Sequence, residues 1–397
     1  MSAILPFLIV LLAVAFFTRV DFFFYLLYAL AGIYILGRLW ARRSLGAVEL
    51  ERRHEQRVFW GETFPVQVVV RNRGWLPVLW LRLHDTVPAD LMPGTVFRQV
   101  ISLLPRERLQ MDYTLAGKRR GYYTFGPLVT LGGDLLGAAS YEHRFQKDDF
   151  VIVYPKIVAL RELGFPSQSP FGTLPSRERL FEDPTRIRGV RDYQPGDSLR
   201  RIDWKTSARV GSLQVRRFEP AIALETAIFL NLNRAEYPHA HWRQATELGI
   251  VVAASVAAHL VEKRQAVGLI TNGRDPLAEV SNPTPSLPLR KGREHLMHLL
   301  DLLARIEVAS EGEPVPFLDL LSSKSLGLPW GSTVVMITAH EVEGLMDTLL
   351  AFRRRGLEVI LALTSPDRAF KLTAQRAGQI GIQALRLWSE QDMDIWR

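Results

Sequence analysis

The first forty residues limit what this chain can fold into. Ala3 to Phe17 reads AILPFLIVLLAVAFF, Phe22 to Gly37 reads FFFYLLYALAGIYILG, and neither run carries a charge. Helices that are apolar on every face need either a very large core or a lipid phase. Each run is shorter than the ~20 residues that usually cross the hydrocarbon core, and each gains length from its flanks. Tyr25, Tyr28, Tyr34 and Trp40 suit the membrane interface. The expectation is a transmembrane helical hairpin over residues 1–40, turning at Thr18-Arg19-Val20-Asp21. A signal peptide fits less well, because no positive segment precedes the first run and no small-residue cleavage pattern follows it. Arg38, Arg42, Arg43, Arg52, Arg53 and Arg57 come after the second run. Positive charge stays on the cytoplasmic side. A multi-pass protein of the inner (cytoplasmic) cell membrane is therefore expected, with lipid as one partner and its soluble domains in the cytoplasm.

The chain has 397 residues, enough for two or three domains, and 48% of them are hydrophobic, enough for buried cores. It has no cysteine. Disulfides, thiolate metal sites and cysteine nucleophiles are excluded together, and transglutaminase chemistry with them. The net charge is +8, and one basic region between Arg177 and Arg217 holds eleven Lys/Arg against six Asp/Glu. The acids are interleaved with the bases, a pattern of local ion pairing, so no nucleic-acid partner is expected.

Residues 41–160 read as a β-rich, antiparallel sandwich-like domain. Phe64–Val70, Val78–Leu83, Leu109–Leu115, Tyr122–Phe125, Leu128–Leu131 and Phe150–Tyr154 are short apolar or alternating runs. Gly, Pro and Asn turn signals separate them. Residues 221–397 read as α/β. Strand-like runs at Leu224–Leu232, Ala266–Thr271, Thr333–Thr338 and Leu357–Leu363 alternate with helical patterns at Trp242–Arg264, Gly292–Ile306, Val342–Arg355 and Asp367–Ala377. That alternation predicts a parallel sheet with helices on both faces.

Residues 161–220 read as a linker carrying the densest motif of the chain. Its key positions are Arg191, Tyr193, Pro195, Gly196, Asp197, Arg200, Arg201, Asp203, Trp204, Lys205, Ser207 and Arg209. Pro195-Gly196 favours a tight turn. Asp197 is placed to cap a helix through Ser198 to Ala208, with Trp204 facing a core beside Leu199, Ile202 and Ala208. One reading is a structural clasp in which Asp192, Asp197 and Asp203 pair with arginines. The other is a recognition surface for an acidic partner or a phosphate group.

The run R-x-Y-x-P-G-D-x-x-R-R-I-D-W-K-x-S-A-R, from Arg191 to Arg209, closely resembles the signature of the domain of unknown function 58 family. Arg120-Gly121-Tyr122, Gly126-Pro127, Asp134 and Gly137 resemble the family's β-domain pattern. The resemblance implies a bacterial or archaeal protein, often encoded beside MoxR-type AAA ATPases, whose C-terminal part is similar to a von Willebrand factor A domain. In that domain the first strand ends in Asp-x-Ser-x-Ser, which holds a divalent cation. The matching positions here are Asn231, Asn233 and Ala235, and a later strand ends Thr338-Ala339-His340. A hard cation wants anionic oxygen ligands, which these positions lack, and Arg234 would oppose one. No metal and no cofactor are expected at this degenerate site.

No phosphate-binding glycine loop, dinucleotide fingerprint, zinc-protease helix or nucleophile elbow occurs. The pairs His239/His241 and His295/His298 fall short of a metal site. The expected function is that of a non-enzymatic membrane-anchored scaffold presenting the A-like domain to proteins, with a MoxR-type ATPase as the implied partner, in envelope protein assembly or maturation. The alternative is an enzyme or a phosphate/polyanion site built on Arg191–Arg209.

Overall fold

A computed structural model describes residues 4–91, 97–134, 140–145, 149–160, 182–195, 197–220, 225–278, 284–309, 314–366 and 369–396. The chain forms two units, Met1–Lys156 with Leu300–Ile306, and Ile157–Leu299 with Glu307–Arg397. The fold is mixed α/β with several sheets.

The two apolar runs are helices, α1 (Ile4–Thr18) and α2 (Asp21–Leu45), packed on each other. Leu11, Ala15, Leu27 and Tyr34 are buried, whereas Phe16, Phe17, Phe22, Tyr25 and Tyr28 are exposed. Only 6% of the most apolar stretch of α2 is buried, and that helix is long and apolar enough to cross a membrane. Its last turns do something else. Ala41, Ser44 and Leu45 are buried, and α2 packs against strands of the β domain.

That domain runs through β1 (Val48–His54), β2 (Arg57–Val58), β3 (Thr63–Asn72), β4 (Val78–Asp85), β5 (Arg98–Leu103), β6 (Arg108–Ala116), β7 (Gly121–Thr124), β8 (Leu128–Gly133), β9 (Ser140–Phe145) and β10 (Phe150–Val153). The sheets have orders β1-β3-β6, β5-β4-β8-β9 and β2-β10-β7. All pairings are antiparallel except β2 with β10. Val48, Val68, Val70 and Met111 of the first sheet share one core with Val78, Leu81, Leu83 and Leu128 of the second, and Leu45 of α2 joins them. Several strands are absent from the sequence reading. β1 is one, because VELERRH carries charges on its open side and buries only Val48 and Arg52.

Arg52 is the polar centre of this unit. It is 7% exposed, and Asp85 is fully buried. The guanidinium donates to both Asp85 oxygens and to the Gly126 carbonyl at 3.1 Å, and lies 4.9 Å from the Phe125 ring. Tyr113 donates its hydroxyl to Asp85 at 2.5 Å. Burial, then the Asp85 charge, pushes the Tyr113 pKa up, so the phenol stays a donor. One network thus ties β1, β4 and β6 across two sheets.

The second unit holds an antiparallel pair, β11 (Glu182–Asp192) with β12 (Gln214–Pro220), where the sequence reads as linker; between these strands lies α3 (Trp204–Val210). A six-stranded sheet follows, built from β13 (Glu225–Leu230), β14 (Ala266–Thr271), β15 (Ser286–Arg290), β16 (Thr333–Thr338), β17 (Glu358–Leu363) and β18 (Gln383–Arg386). Its order is β15-β14-β13-β16-β17-β18, parallel except for edge strand β15. Its helices are α4 (Trp242–Glu262), α5 (Arg293–Arg305), α6 (Phe317–Ser325), α7 (Leu345–Arg354) and α8 (Phe370–Gln379). Phe229, Met336 and Leu361 point into a core with Phe317, Leu349 and Ala377 of α6, α7 and α8. α4 covers the other face, and Gly249 lets it approach Leu230 and Ile337. α4 is also apolar enough to span a membrane, but 78% of its most apolar stretch is buried, so it serves the core.

Replacing Asp85 with Ala leaves the buried Arg52 guanidinium without its bidentate partner, holding only the Gly126 carbonyl and a 3.5 Å ion pair to Asp149. The expected loss is about 3–5 kcal/mol of unfolding free energy, read by denaturant titration in detergent. A loss below about 1 kcal/mol would show that the network is not the centre of this unit.

Candidate functional site

The signature motif folds as a capped module. Ser198 precedes a single 3-10 turn at Leu199–Arg201, and α3 begins only at Trp204. Asp203, not Asp197, is the N-cap: its carboxylate accepts the Thr206 N–H at 3.0 Å. Ile202 and Asp203 are extended, which ends the first turn and restarts the helix, so the continuous helix expected from Ser198 does not form. Gly211 closes α3 at φ +79°, a left-handed conformation that suits glycine. Ser207, 7% exposed, donates to the Asp203 carbonyl at 2.7 Å and accepts from the Gln214 N–H at 2.8 Å, fixing α3 to β12. The Thr206 N–H, together with Arg216 at 3.1 Å, holds the Asp203 carboxyl below the usual carboxylate range.

Asp197 has a different role. Both its oxygens accept from Arg191, at 2.6 and 2.7 Å, and one also accepts the Gln194 N–H at 3.0 Å. This bidentate pair closes the Gln194-Pro195 turn; Gly196 lies outside the described residues. Asp192 accepts from Gln214. Tyr193 is half-buried, and its N–H donates to the Leu213 carbonyl at 2.8 Å.

The other half of the motif faces water. Trp204 is 66% exposed and Leu199 64%, so the expected packing of Trp204 into a core with Leu199 does not occur; only Ile202 of that set is buried. Ala208 is exposed. The short α3 has one buried side, and Ser207 occupies it. Among the described residues the side chains of Arg200, Lys205 and Arg209 make no hydrogen bond or ion pair and are exposed, and Arg201 is exposed too. The module therefore presents an aromatic ring and a leucine among cations on a frame held by Asp203, Ser207 and the Arg191–Asp197 pair.

A second constellation lies at the ends of β13 and β16. These adjacent parallel strands connect to opposite sides of the sheet, the place where such sheets bind ligands. Asn231 sits there, fully buried. Its amide nitrogen donates to Glu236 at 2.8 Å and to the Thr338 hydroxyl at 3.0 Å. Its amide oxygen accepts from the Asn233 N–H at 3.0 Å and from Asn272 at 3.1 Å. Asn233 donates to the other Glu236 oxygen at 3.2 Å, and that oxygen also takes the Phe317 N–H at 3.0 Å. Tyr237 donates to the Asn231 carbonyl, and burial pushes its pKa up. The Asn231 amide thus stands between a carboxylate and a hydroxyl, where its N–H dipoles act as the local positive charge. Glu236 was missed in the sequence because it falls one residue beyond Ala235, which is itself exposed. Arg234 is turned aside, donating to the Tyr237 carbonyl at 3.2 Å with its guanidinium 4.7 Å from the Trp242 ring. His295 bonds the Val267 carbonyl at 2.8 Å, a core role, and His239 meets Arg234. No cluster of three His, Asp or Glu suited to a metal ion occurs among the described residues.

The family described as "Protein of unknown function DUF58" matches residues 189–325, from the module through the centre of the α/β unit. Residues 189–325 belong to DUF58. The chain is also 25% identical over 285 residues to the uncharacterized protein YeaD of Bacillus subtilis (strain 168), covering 70% of this chain and 66% of that protein, just under two thirds of its length. Among solved structures it is similar to the CARDB domain of the PF1109 protein from Pyrococcus furiosus (15% identity, TM-score 0.19, 27% of this chain and 91% of that one). It is also similar to native alpha-2-macroglobulin from Escherichia coli (18% identity, TM-score 0.24, 28% of this chain and 17% of that one). Scores at that level carry no argument about this chain.

Asn231→Asp removes the amide donor and sets two carboxylates against each other. At neutral pH the variant should lose about 3 kcal/mol, the order expected for an uncompensated buried charge. One of the two carboxyls then has a raised pKa and takes a proton as pH falls, so the loss should shrink below about pH 5. Millimolar Mg²⁺ should also reverse it, since the site would then offer oxygen ligands to a hard cation. Thermal unfolding unchanged from the parent at pH 7 without Mg²⁺ would refute this account of the amide.

Proposed function

We propose that this chain is a membrane-anchored, non-enzymatic scaffold that presents its signature module and α/β domain to protein partners. The observation that carries the reading is the exposure of Trp204 and Leu199 beside Arg200 and Lys205 on a frame fixed by its own hydrogen bonds. Exposed tryptophan on a rigid support is the usual anchor of a binding hot spot, because little side-chain entropy is lost on docking. The unpaired cations favour an acidic partner surface.

α1 and α2 form the transmembrane hairpin, supported by the exposed apolar surface of both helices. Arg38, Arg42 and Arg43 at its exit favour a cytoplasmic side for the soluble units. We read the α/β domain as von Willebrand A-like, supported by the sheet order with its antiparallel edge strand β15 and by the Asn231 constellation at the switch between β13 and β16. The amide network favours a domain that holds its binding edge without a cation. A MoxR-type AAA ATPase is the proposed partner, on the family resemblance, in assembly or maturation of envelope proteins.

The enzymatic alternative would draw on Arg200, Asp197, Asp203 and Lys205. Both of its carboxylates are engaged, Asp197 by Arg191 and Asp203 by Thr206 and Arg216, which favours structural work over proton transfer. The exposed Arg200, Lys205 and Arg209 leave a polyanion partner as the competing reading.

Trp204→Ala with Lys205→Glu tests the proposal. Both side chains are exposed, so thermal unfolding should stay within about 1 °C of the parent. Affinity capture from membranes should recover a AAA ATPase with the parent and lose it at least about 30-fold with the variant, the loss typical of a truncated hot spot. Equal recovery with both proteins, or none with either, would refute the module as the ATPase-binding surface.

A further inference from the structure

The first unit carries a second exposed patch, at one end of its β-sandwich. Trp75 is 70% exposed and Leu104 66%. They lie on different loops, between β3 and β4 and between β5 and β6, yet one buried side chain joins those loops. Asn72, 0% exposed, donates its amide to the Leu76 carbonyl at 2.9 Å and to the Leu104 carbonyl at 3.0 Å, and accepts from the Gly74 N–H at 2.9 Å. The Arg106 N–H adds a bond to the Gly74 carbonyl at 3.3 Å. The two loops are therefore one rigid tip.

The direction in which this tip points follows from α2. Gly132 of β8 packs on Leu45, and Asp134, two residues later, packs beside Gly37. Eight helical residues, about 12 Å, separate those contacts, so the end of β8 runs back toward the apolar half of α2. β4 is antiparallel to β8, so it starts at that same end, and Val78 is paired there with Leu103. Trp40 fixes the arrangement by donating its indole N–H to the Pro77 carbonyl at 3.1 Å. The Trp75 and Leu104 loops lie beyond Val78 and Leu103, on the side from which the apolar helix emerges.

Positive charge there exceeds negative, and the acids are already paired. Arg71 and Arg108 are direct cross-strand partners, an arrangement that repels unless an anion lies between or above them. Arg106 holds φ +62°, where a non-glycine residue is disfavoured. The side chains of Arg42, Arg43, Arg71, Arg106 and Arg108 are exposed and make no hydrogen bond or ion pair among the described residues. The nearby acids are engaged: Glu49, the cross-strand partner of Arg71 on β1, pairs with Arg73 at 2.6 Å, Glu51 pairs with Arg53 at 2.8 Å, and Glu107 accepts the Leu104 N–H at 2.6 Å.

We propose that this tip is a membrane-surface foot, with Trp75 and Leu104 entering the interfacial layer of an anionic leaflet and the arginines contacting its phosphate headgroups. The proposal rests on the reading of α2 as a membrane helix. The foot is a second attachment, and it fixes the tilt of the β domain on the bilayer. A tryptophan and a leucine flanked by arginines match the depth profile of such a layer, and each arginine near an anionic leaflet strengthens binding about fivefold.

The native chain has no cysteine, so single labels are clean. The full chain is reconstituted in vesicles containing anionic lipid, with a polarity-sensitive fluorophore on Leu104→Cys, on Ile33→Cys in α2, or on Lys118→Cys at the far end of β6. Headgroup- and acyl-chain nitroxide lipids serve as quenchers. The label at 104 should be blue-shifted and quenched most by headgroup nitroxide, the label at 33 by acyl-chain nitroxide, and the label at 118 by neither. Arg106→Glu with Arg108→Glu should abolish quenching at 104 and spare it at 33. If 33 is quenched while 104 behaves like 118, the foot is wrong and the membrane helix stands. If 33 is not quenched, the membrane reading fails and the foot with it. Quenching at 104 that is unchanged by the double variant or by purely zwitterionic vesicles would refute the headgroup contact.

Discussion

α2 is one unbroken helix with two different surroundings, and the first unit is built on that fact. Its early turns expose Phe22, Tyr25, Tyr28 and Ile33, a surface that water does not favour, whereas its last turns bury Ala41, Ser44 and Leu45 against the β domain. No linker separates the two halves, and the turn into β1 is only Gly46-Ala47. A rod that is apolar at one end and part of a protein core at the other couples the β domain to whatever surrounds the first half. An anchor followed by a flexible tether would not impose this. Trp40, Pro77, Gly132 and Leu45 make the coupling specific.

Polar constraints then divide the work within each unit. In the β domain the Arg52–Asp85–Tyr113 network joins two sheets and leaves few alternative registers. At the edge of the α/β sheet the Asn231 amide satisfies Glu236 and Thr338 without an added charge. In the signature module Asp203 and Asp197 each fix a turn. In all three places the charged or polar groups are occupied with one another. Unpaired cations stand on surfaces: Arg200 and Lys205 beside Trp204 in one unit, Arg71 and Arg108 on the Trp75 tip in the other.

Much of this was legible in the sequence where period and composition agree. The apolar helices, the strand Thr333–Thr338 and the helix beginning at Trp242 all follow from runs whose pattern allows one answer. The reading was incomplete where charged residues sit on a half-buried strand, as in β1, or where tertiary pairing makes a strand from a segment rich in Arg and Glu, as in β11 and β12. It placed the cap at Asp197 because Pro-Gly-Asp precedes a helical pattern. The Arg191 guanidinium takes both Asp197 oxygens, and the helix cap stands six residues later at Asp203. Tryptophan usually packs, which points Trp204 to a core; α3 is too short to have a buried face beyond Ser207. Glu236 was overlooked because three-dimensional closure, not spacing, brings it to Asn231.

The account depends on the chain being held in the membrane with its signature module on the cytoplasmic side. With no native cysteine, a single Lys205→Cys substitution on the exposed module reports both properties at once. Membranes are washed with alkaline carbonate, and a membrane-impermeant thiol reagent is applied to wall-free cells and to inverted vesicles. The account predicts that the protein stays in the washed pellet and is labelled only in inverted vesicles. Release by carbonate, or labelling of intact wall-free cells, would contradict it.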